Sequence, residues 1–248
     1  MNRTTSPADY WTVSKGPDHE LIVTPKNGIY DSCLIFLHGM DEKASTHLAR
    51  FNSEQSPVPK RCKVILPQAG KVNMTLFGSR YLTNWFDLIT WNADEQVMEA
   101  QDLEASYEKI RRLIEREASL LDGRYDRIFV GGFSGGAVQS IFVGWKFENR
   151  LGGIISFSGY PPPPSVITVP EKTSPHLLVH GNADPWALLE IVQQLYTAYG
   201  LLGKPNVQMH VVPQMKHEIF PDNLHLLQHF MQSILDKSPP FAFHFQKL

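Results

Sequence analysis

The apolar and polar positions along the chain alternate between two patterns. Short runs rich in Val, Ile, Leu and Phe are separated by stretches in which apolar residues recur every three or four positions. The runs are typical of buried strands and the stretches of amphipathic helices, so their alternation predicts an α/β fold with a mostly parallel central sheet flanked by helices. The predicted strands are residues 20–24, 33–37, 63–66, 127–131, 153–157, 176–179 and 207–212.

Three helices are predicted between and after these strands. The first covers residues 95–121, where apolar residues keep helical spacing until Gly123 ends the segment. The second begins at Pro185, because proline is favoured at the first helical position, and ends near Gly200. The third runs from about residue 221 to residue 235.

The remaining segments give no sign of a second domain. The proline run at residues 161–164 is too rigid for a helix or a central strand, so we expect a loop above the sheet there. Strands and helices on both sides of it share one alternation, so residues 1–248 are predicted to form a single domain. Its core spans about residues 20–236, and the two ends are the least predictable parts.

Composition and charge argue against several classes of protein. The formal net charge of −2 and the even scatter of charged residues leave no basic stripe for a phosphate backbone, which argues against a nucleic-acid partner. The first twenty residues contain no signal-like apolar stretch and no run of about 20 apolar residues occurs, so we expect neither secretion nor a membrane span. Cys33 and Cys62 each lie inside an apolar run, which favours buried, reduced thiols and a cytoplasmic protein.

The candidate chemistry centres on the sequence GFSGG at residues 132–136. It follows the strand run RIFVG and precedes the helical run AVQSIFVGWKF, so the motif lies at a strand–turn–helix junction. Such a strained turn lifts a serine hydroxyl above the end of a sheet. The residues beside the serine must be small, because other segments of the same chain approach closely there. Ser134 is therefore predicted to be a catalytic nucleophile. The alternative is a glycine-rich turn that only begins a helix.

Two downstream loops supply an acid and a base in the order expected for such a serine. Asp184 follows a strand in the run HLLVHGNADP, and His217 follows the next strand in VQMHVVPQMKHEIF. The order Ser, Asp, His places the acid and the base on loops at the carboxyl ends of later strands. We predict that His217 is the base and that Asp184 orients it. Taken singly, Asp184 is equally typical of a helix N-cap, and His217 of a solvated loop.

The other downstream histidines suit this role less well. His210 falls inside a predicted strand, and His225 and His229 lie four residues apart on a predicted helix. Such a pair is one element of a metal site, but no Glu or Cys accompanies it at ligand spacing, so we expect a solvated helix face and no metal. The predicted chemistry requires no organic cofactor either.

An oxyanion hole is predicted at the turn HGM, residues 38–40, which follows the strand run CLIFL. The backbone N–H groups of Met40 and Gly135 are the expected donors to the negative charge that develops on the substrate. His38 lies too early in the chain for the order of the triad. Its side chain is therefore expected to pack and to hydrogen-bond so that it holds the turn.

Four segments together resemble the family of acyl-protein thioesterases, lysophospholipases and carboxylesterases, which are small α/β-hydrolases. They are LIFLHGMDE, ILPQAGKVNMTLFGSRYLTNWFDL, VGGFSGGAV, and VHGNADP with the later MKHE, and they span about residues 32–230. The resemblance implies an α/β-hydrolase fold without a large cap domain, and hydrolysis of acyl esters or thioesters. It also implies that the substrate is an acylated protein or a small lipid ester, and that the protein contacts a membrane-bound substrate transiently. No pattern indicates an oligomeric state.

The same resemblance implies that the segment WFD at residues 85–87 lies near the mouth of the active site. We expect an acyl chain to lie beside Met74, Leu76, Trp85 and Phe86, with chains of medium length or longer preferred over acetyl. From the residues alone, Trp85 and Phe86 could equally be core aromatics.

Two positions near the predicted oxyanion hole depart from the family pattern. Gly135 stands where members usually carry Gln, and Asp41 stands where they usually carry Gly. Gly135 keeps its N–H donor but has a more mobile backbone, and Asp41 tolerates a left-handed conformation better than most residues. The departures support an alternative from another class, a catalytically silent α/β-hydrolase that binds a ligand or a protein. A carboxylesterase or lysophospholipase acting on small lipid esters is the alternative that uses the same residues.

Overall fold

A central sheet of eight strands organises the chain in this computed structural model, which describes residues 10–92, 96–171 and 173–238. Four further strands within these ranges form two separate hairpins. The strands are β1 (Trp11–Lys15), β2 (Leu21–Pro25), β3 (Ser32–Leu37), β4 (Cys62–Leu66), β5 (Lys71–Met74), β6 (Arg80–Thr83), β7 (Leu88–Trp91), β8 (Gln96–Met98), β9 (Ile128–Phe133), β10 (Gly153–Phe157), β11 (His176–Gly181) and β12 (Val207–Val212).

The sheet is parallel over most of its width. Its strand order is β1-β2-β4-β3-β9-β10-β11-β12, and every neighbouring pair from β4 to β12 is parallel. Only β2 departs from this, because it pairs antiparallel with both β1 and β4. The predicted mostly parallel sheet is confirmed, and each predicted strand overlaps an observed one. The sequence does not predict β1, because only Trp11 of its five residues is buried.

The two hairpins, β5–β6 and β7–β8, are also absent from the sequence prediction. Their strands have three or four residues each, and most of those residues are exposed or half-buried. Alternation of apolar and polar residues is hardly detectable over such short segments.

The helices cover both faces of the sheet, and their ends differ from the predicted ones. The first predicted helix begins at Ala100 and not at residue 95, because residues 96–98 form β8; residue 95 itself lies outside the described residues. The Glu99 side chain caps this helix by accepting the Gln101 N–H at 3.1 Å. The second begins at Leu189 and not at Pro185, since the N–H groups between them donate to a carboxylate described below. The helices are α1 (Leu48–Phe51), α2 (Ala100–Leu120), α3 (Gly135–Lys146), α4 (Leu189–Ala198) and α5 (Leu224–Leu235).

Two apolar layers hold the helices against the sheet. In β3, Cys33, Ile35 and Leu37 pack into the layer that contains residues of α2, α3 and α4, while Leu34 and Phe36 pack into the layer that contains residues of α1 and α5. All six residues of β3 are buried, which explains why the five after Ser32 form a continuous apolar run. Both cysteines of the chain are free and buried, as expected.

The order of the strands places one crevice at the centre of the sheet. From β3 the chain continues to β4 on one side of β3, whereas β9 pairs with the opposite side of β3. In α/β sheets such a reversal opens a crevice beyond the carboxyl ends of the two strands. The loops after β3 and β9, which carry the predicted oxyanion hole and nucleophile, therefore meet there.

Candidate active site

Ser134 lies at a sharp turn between β9 and α3. Its backbone has φ 53° and ψ −122°, a conformation that is unfavourable for residues other than glycine. The turn is tied to the sheet, because the Ser134 N–H donates to the Phe157 carbonyl at 2.9 Å. Such a strained turn directs the serine side chain out of the sheet toward the crevice.

Two glycines allow this turn to pack tightly. A Cβ atom on Gly132 would lie 2.7 Å from the Leu37 carbonyl oxygen. A Cβ atom on Gly136 would lie 2.4 Å from the carbonyl oxygens of both Leu37 and His38. These are backbone atoms at the end of β3 and just beyond it, so they cannot give way as the tip of a side chain can. The expected need for small residues beside the serine is confirmed at both positions.

The three residues predicted to be catalytic form one continuous chain of hydrogen bonds. His217 Nε2 lies 2.8 Å from Ser134 Oγ, and His217 Nδ1 lies 2.7 Å from Asp184 Oδ2. A carboxylate only accepts hydrogen bonds, so Nδ1 carries the ring proton and Nε2 is left to accept the proton of Ser134. The ring of Phe133 packs against His217, with 5.0 Å between the ring centroids. The arrangement can therefore deprotonate the serine.

The Asp184 carboxylate is buried, yet both of its oxygens accept hydrogen bonds. Oδ1 accepts from the backbone N–H groups of Trp186 and Ala187, each at 2.9 Å, and Oδ2 accepts from His217. Burial raises the pKa of Asp184, but the hydrogen bonds from His217 and from the two N–H groups outweigh it, so the pKa lies below its ordinary value. The group therefore stays ionised and can stabilise a protonated imidazole.

The turn after β3 is fixed by the side chain of His38. Its Nε2 accepts from the Ala69 N–H at 3.0 Å, so Nδ1 carries the ring proton and donates to the Gly39 carbonyl at 2.7 Å. Burial lowers the pKa of His38 and so favours the neutral ring that this arrangement needs. The expectation that His38 holds the turn is confirmed.

Asp41 and Glu42 complete this turn. Asp41 has φ 57°, which is the left-handed conformation that aspartate tolerates better than most residues. Its N–H donates to the Thr83 carbonyl at 2.7 Å. Glu42 Oε2 accepts from the Gly39 N–H at 2.7 Å and from His47 Nε2 at 2.9 Å. Sequence reasoning missed the role of Glu42, because a carboxylate three residues after a glycine is no recognisable signal on its own.

Met40 and Gly135, the predicted oxyanion donors, line the same cavity as Ser134. Gly135 is the first residue of α3, so its N–H has no partner inside the helix and lies at the positive end of the helix dipole. The tight approach of Gly136 to the end of β3 brings the Met40 turn close to this helix end. The donation by Met40 and Gly135 to a substrate oxygen beside the serine stays a prediction.

An apolar cavity of about 190 Å³ opens beside Ser134 and His217. Three of the four residues predicted to contact an acyl chain line it, namely Met74, Leu76 and Phe86, and their contact with a substrate stays a prediction. Further lining residues come from β7 and from the loops after β10 and β11, and sequence reasoning missed them because they carry no motif. They include Leu88, Trp91, Tyr160 and Trp186.

Trp85 is placed differently from the prediction. Its side chain is 1% exposed, packs in the core layer beneath α2 and α3, and is not part of the cavity wall in the described structure. The indole N–H donates to the His38 carbonyl at 2.8 Å, which satisfies its one polar group inside the core. The expected contact of Trp85 with an acyl chain is therefore corrected: it is a core aromatic that supports the turn after β3.

Aromatic side chains form one wall of the cavity. The ring of Trp91 stacks on Tyr160 with 3.9 Å between the ring centroids, and its indole N–H donates to the Trp186 carbonyl at 2.8 Å. This contact ties the β7–β8 hairpin to the loop that follows β11. The wall is therefore held from both sides of the crevice.

The three histidines that suit the role of base less well, His210, His225 and His229, take no part in this chain of hydrogen bonds. His225 and His229 are exposed on α5, which confirms the expected solvated helix face, and His210 lies on β12. Among the residues that the structure describes, no cluster of His, Cys, Asp and Glu could hold a metal ion. No helix in the described ranges is long and apolar enough to cross a membrane.

Comparison with known proteins finds relatives that share most of the chain's length. Acyl-protein thioesterase 1 of Debaryomyces hansenii is 27% identical over 218 residues, which cover 83% of this chain and 92% of that protein. The protein of the same name from Yarrowia lipolytica is 30% identical over 178 residues, covering 68% of this chain and 76% of its own length.

Solved structures show the same fold. Acyl-protein thioesterase 2 of Zea mays matches with a TM-score of 0.70 at 23% identity, covering 87% of this chain and 98% of that one. The esterase PE8 matches with a TM-score of 0.69 at 20% identity. The α/β-hydrolase fold expected from the sequence is thereby confirmed. Since the model of the phospholipase/carboxylesterase family matches residues 18–235, which include Ser134, Asp184 and His217, the chain belongs to this family of hydrolases.

Proposed function

We propose that the chain is a serine hydrolase that cleaves acyl thioesters or esters through an acyl-enzyme on Ser134. The observation that carries this proposal is the unbroken chain of hydrogen bonds from Asp184 through His217 to Ser134, beside an apolar cavity. The family supports hydrolysis, and relatives that are named acyl-protein thioesterase 1 support a thioester as the bond that is cleaved.

In the first step, Ser134 Oγ attacks the carbonyl carbon of the substrate. His217 Nε2 takes the hydroxyl proton as the new C–O bond forms, and Asp184 stabilises the imidazolium through Nδ1. The carbonyl π electrons move to oxygen, so a tetrahedral intermediate with one negative charge results. When it collapses, the bond to the leaving group breaks, and the thiol or alcohol leaves with the proton from His217.

The oxyanion of this intermediate needs donors that are already in place. The N–H groups of Met40 and Gly135 supply them, and the turn that carries Met40 is held by His38 and Glu42. Removal of one such donor costs about 10²–10³-fold in rate, so the rigidity of this turn is part of the catalytic apparatus.

In the second step, water replaces the leaving group. His217 takes one proton from the water as its oxygen attacks the acyl-enzyme carbonyl, and a second tetrahedral intermediate forms. Its collapse breaks the bond to Ser134 Oγ, which recovers its proton from His217. A carboxylic acid is released, and the enzyme returns to its starting state.

The cavity suits an acyl chain. Met74, Phe86 and Leu88 offer apolar surface next to the serine, and each buried methylene adds about 0.8 kcal/mol of binding free energy. We propose that the substrate is an acylated protein or a small lipid ester. Where that substrate is bound to a membrane, the enzyme contacts it transiently. Two buried free thiols support a cytoplasmic location, where thiols stay reduced.

Labelling with a fluorophosphonate tests the proposal, because an activated serine reacts and an ordinary one does not. Wild-type protein should be labelled at Ser134, and Ser134→Ala should lose labelling and on the order of 10⁴–10⁶-fold in kcat while its thermal midpoint stays unchanged. Ser233→Ala is the matched control, since that hydroxyl lies on α5 and donates to the Phe230 carbonyl. Labelling at another serine, or turnover retained without Ser134, contradicts the assignment.

The bond that is cleaved is tested with matched peptides. An S-octanoyl cysteine peptide should show a higher kcat/KM than the O-octanoyl serine peptide of the same sequence. Equal values would indicate a general esterase that uses the same residues.

A further inference from the structure

Gly135 follows the nucleophile, yet its backbone does not require glycine. It is the first residue of α3, and its φ lies outside the left-handed region. The obstacle to a side chain here is Asn84: a Cβ atom on Gly135 would lie 2.5 Å from Asn84 Oδ1, and the next nearest atoms, also of Asn84, lie at 3.5 and 3.7 Å. One side-chain oxygen therefore occupies the space that any residue larger than glycine would need.

The orientation of the Asn84 carboxamide is fixed by its other end. Asn84 Nδ2 donates to the Phe86 carbonyl at 2.8 Å and lies 3.6 Å from Met74 Sδ. An amide rotated by half a turn would set its oxygen against the Phe86 carbonyl, so the NH₂ group must point there and the oxygen toward Gly135. The side chain is buried, with 3% of the residue exposed.

The oxygen that faces Gly135 is a buried polar atom that is free to act on its surroundings. Asn84 Oδ1 is inaccessible to solvent and has no hydrogen-bond partner among the described residues. Buried side-chain acceptors nearly always have a partner, because a missing one lowers stability. What sets this oxygen apart is its place, because it lies against the residue that follows the candidate nucleophile.

We propose that Asn84 is a positioning residue for the oxyanion hole. Its carboxamide fills the space beside Gly135 and thereby limits the backbone freedom that glycine brings to the first turn of α3. The N–H of Gly135 is then held where the oxyanion forms, and such donors act only when they are in place before the reaction. The inference rests on the proposed function, because it gives the Gly135 N–H a role only if Ser134 forms a tetrahedral intermediate.

The contact makes residues 84 and 135 a coupled pair. An added methyl group at Gly135 must displace the Asn84 oxygen, whereas removal of the Asn84 carboxamide leaves Gly135 unsupported. Each single change should therefore harm the site. Both together should restore packing, because the new methyl group enters the space that the carboxamide has left.

A double-mutant cycle tests this coupling with p-nitrophenyl butyrate as substrate and with active sites counted by fluorophosphonate labelling. Gly135→Ala and Asn84→Ala should each lower kcat per labelled site by about 10-fold or more with KM changed by less than about 2-fold, because an oxyanion donor acts in the transition state. The double variant should return to within about 3-fold of the wild-type kcat. Asn73→Ala, an exposed asparagine on β5, is the matched control and should match the wild type.

Losses in kcat that simply add in the double variant overturn the proposal. A second outcome also overturns it: Asn84→Ala has a lower thermal midpoint but an unchanged kcat per labelled site, as expected if Asn84 has a purely structural role. If Asn84→Ala does not fold, Asn84→Ser takes its place in the cycle, with the same two outcomes. Failure of the proposed function can be distinguished from failure of this inference, because the wild-type protein would then show no labelling at Ser134.

Discussion

Replacement of Gly136 by alanine should move Ser134 away from the turn that carries Met40. The new Cβ would lie 2.4 Å from the carbonyl oxygens of Leu37 and His38, whereas ordinary contacts begin at 3.4 Å. The start of α3 and the end of β3 must therefore move apart by about 1 Å, since neither carbonyl can rotate away from its place in the backbone. A misplacement of this size costs about 10²-fold in rate, and overpacking costs about 1–3 kcal/mol of the free energy of unfolding.

The assay measures the two effects separately. Values of kcat/KM for p-nitrophenyl butyrate, divided by the fraction of labelled active sites, report on geometry, and urea unfolding reports on stability. Gly70→Ala is the control, because a Cβ at Gly70 meets no atom within 4 Å and its backbone is not left-handed. We expect Gly136→Ala to lose about 100-fold in kcat/KM and Gly70→Ala to resemble the wild type.

A Gly136→Ala variant as active per site as Gly70→Ala would refute this reasoning. It would show that the turn at Ser134 and the turn that carries Met40 shift as one unit. Their mutual distance would then not depend on the contact of Gly136 with Leu37 and His38. A loss of stability alone would lead to the same conclusion.

Two further predictions concern titratable groups. Asp184→Asn should lower kcat by about 10⁴-fold while the circular dichroism spectrum is kept, because a neutral amide neither fixes the Nδ1–H form of His217 nor stabilises its protonated ring; a kcat near the wild-type value would contradict this. Burial lowers the pKa of His176 to about 3, so between about pH 6.5 and that value the unfolded chain binds a proton that the folded chain does not. The free energy of unfolding should therefore fall as pH drops through this window, by up to about 1.4 kcal/mol per pH unit from this group, and urea unfolding of His176→Asn from pH 7 to pH 4 should show a shallower slope. An unchanged slope in the variant would mean that His176 does not titrate in this way.

The parts of the site that the sequence predicts are those with a local signal. Ser134 and Asp184 follow buried apolar runs, and His217 follows the half-buried strand β12. The three occur in the order that one sheet requires. The hydrogen bonds among the three then follow from the strand order, because parallel strands end at the same edge.

The parts that the sequence does not predict depend on tertiary contacts. Whether Trp85 faces the cavity or the core is decided by the His38 carbonyl, which comes from a distant segment and receives the indole N–H. Asn84 offers no signal either, since a single asparagine after a short, half-buried strand is typical of any loop. Its contact with Gly135 becomes visible only when the two segments are placed side by side.

The order of the strands also affects how activity is lost. Among the described strands, β12 lies at the edge of the sheet, pairs only with β11, and consists of half-buried and exposed residues. It leads to His217, whereas Ser134 follows β9 at the centre of the sheet. Edge elements open at a lower free energy than central ones, so on heating we expect the base to leave the nucleophile while the core is still folded. An inactivation temperature below the melting temperature is therefore expected, because the base is carried by the loop after an edge strand.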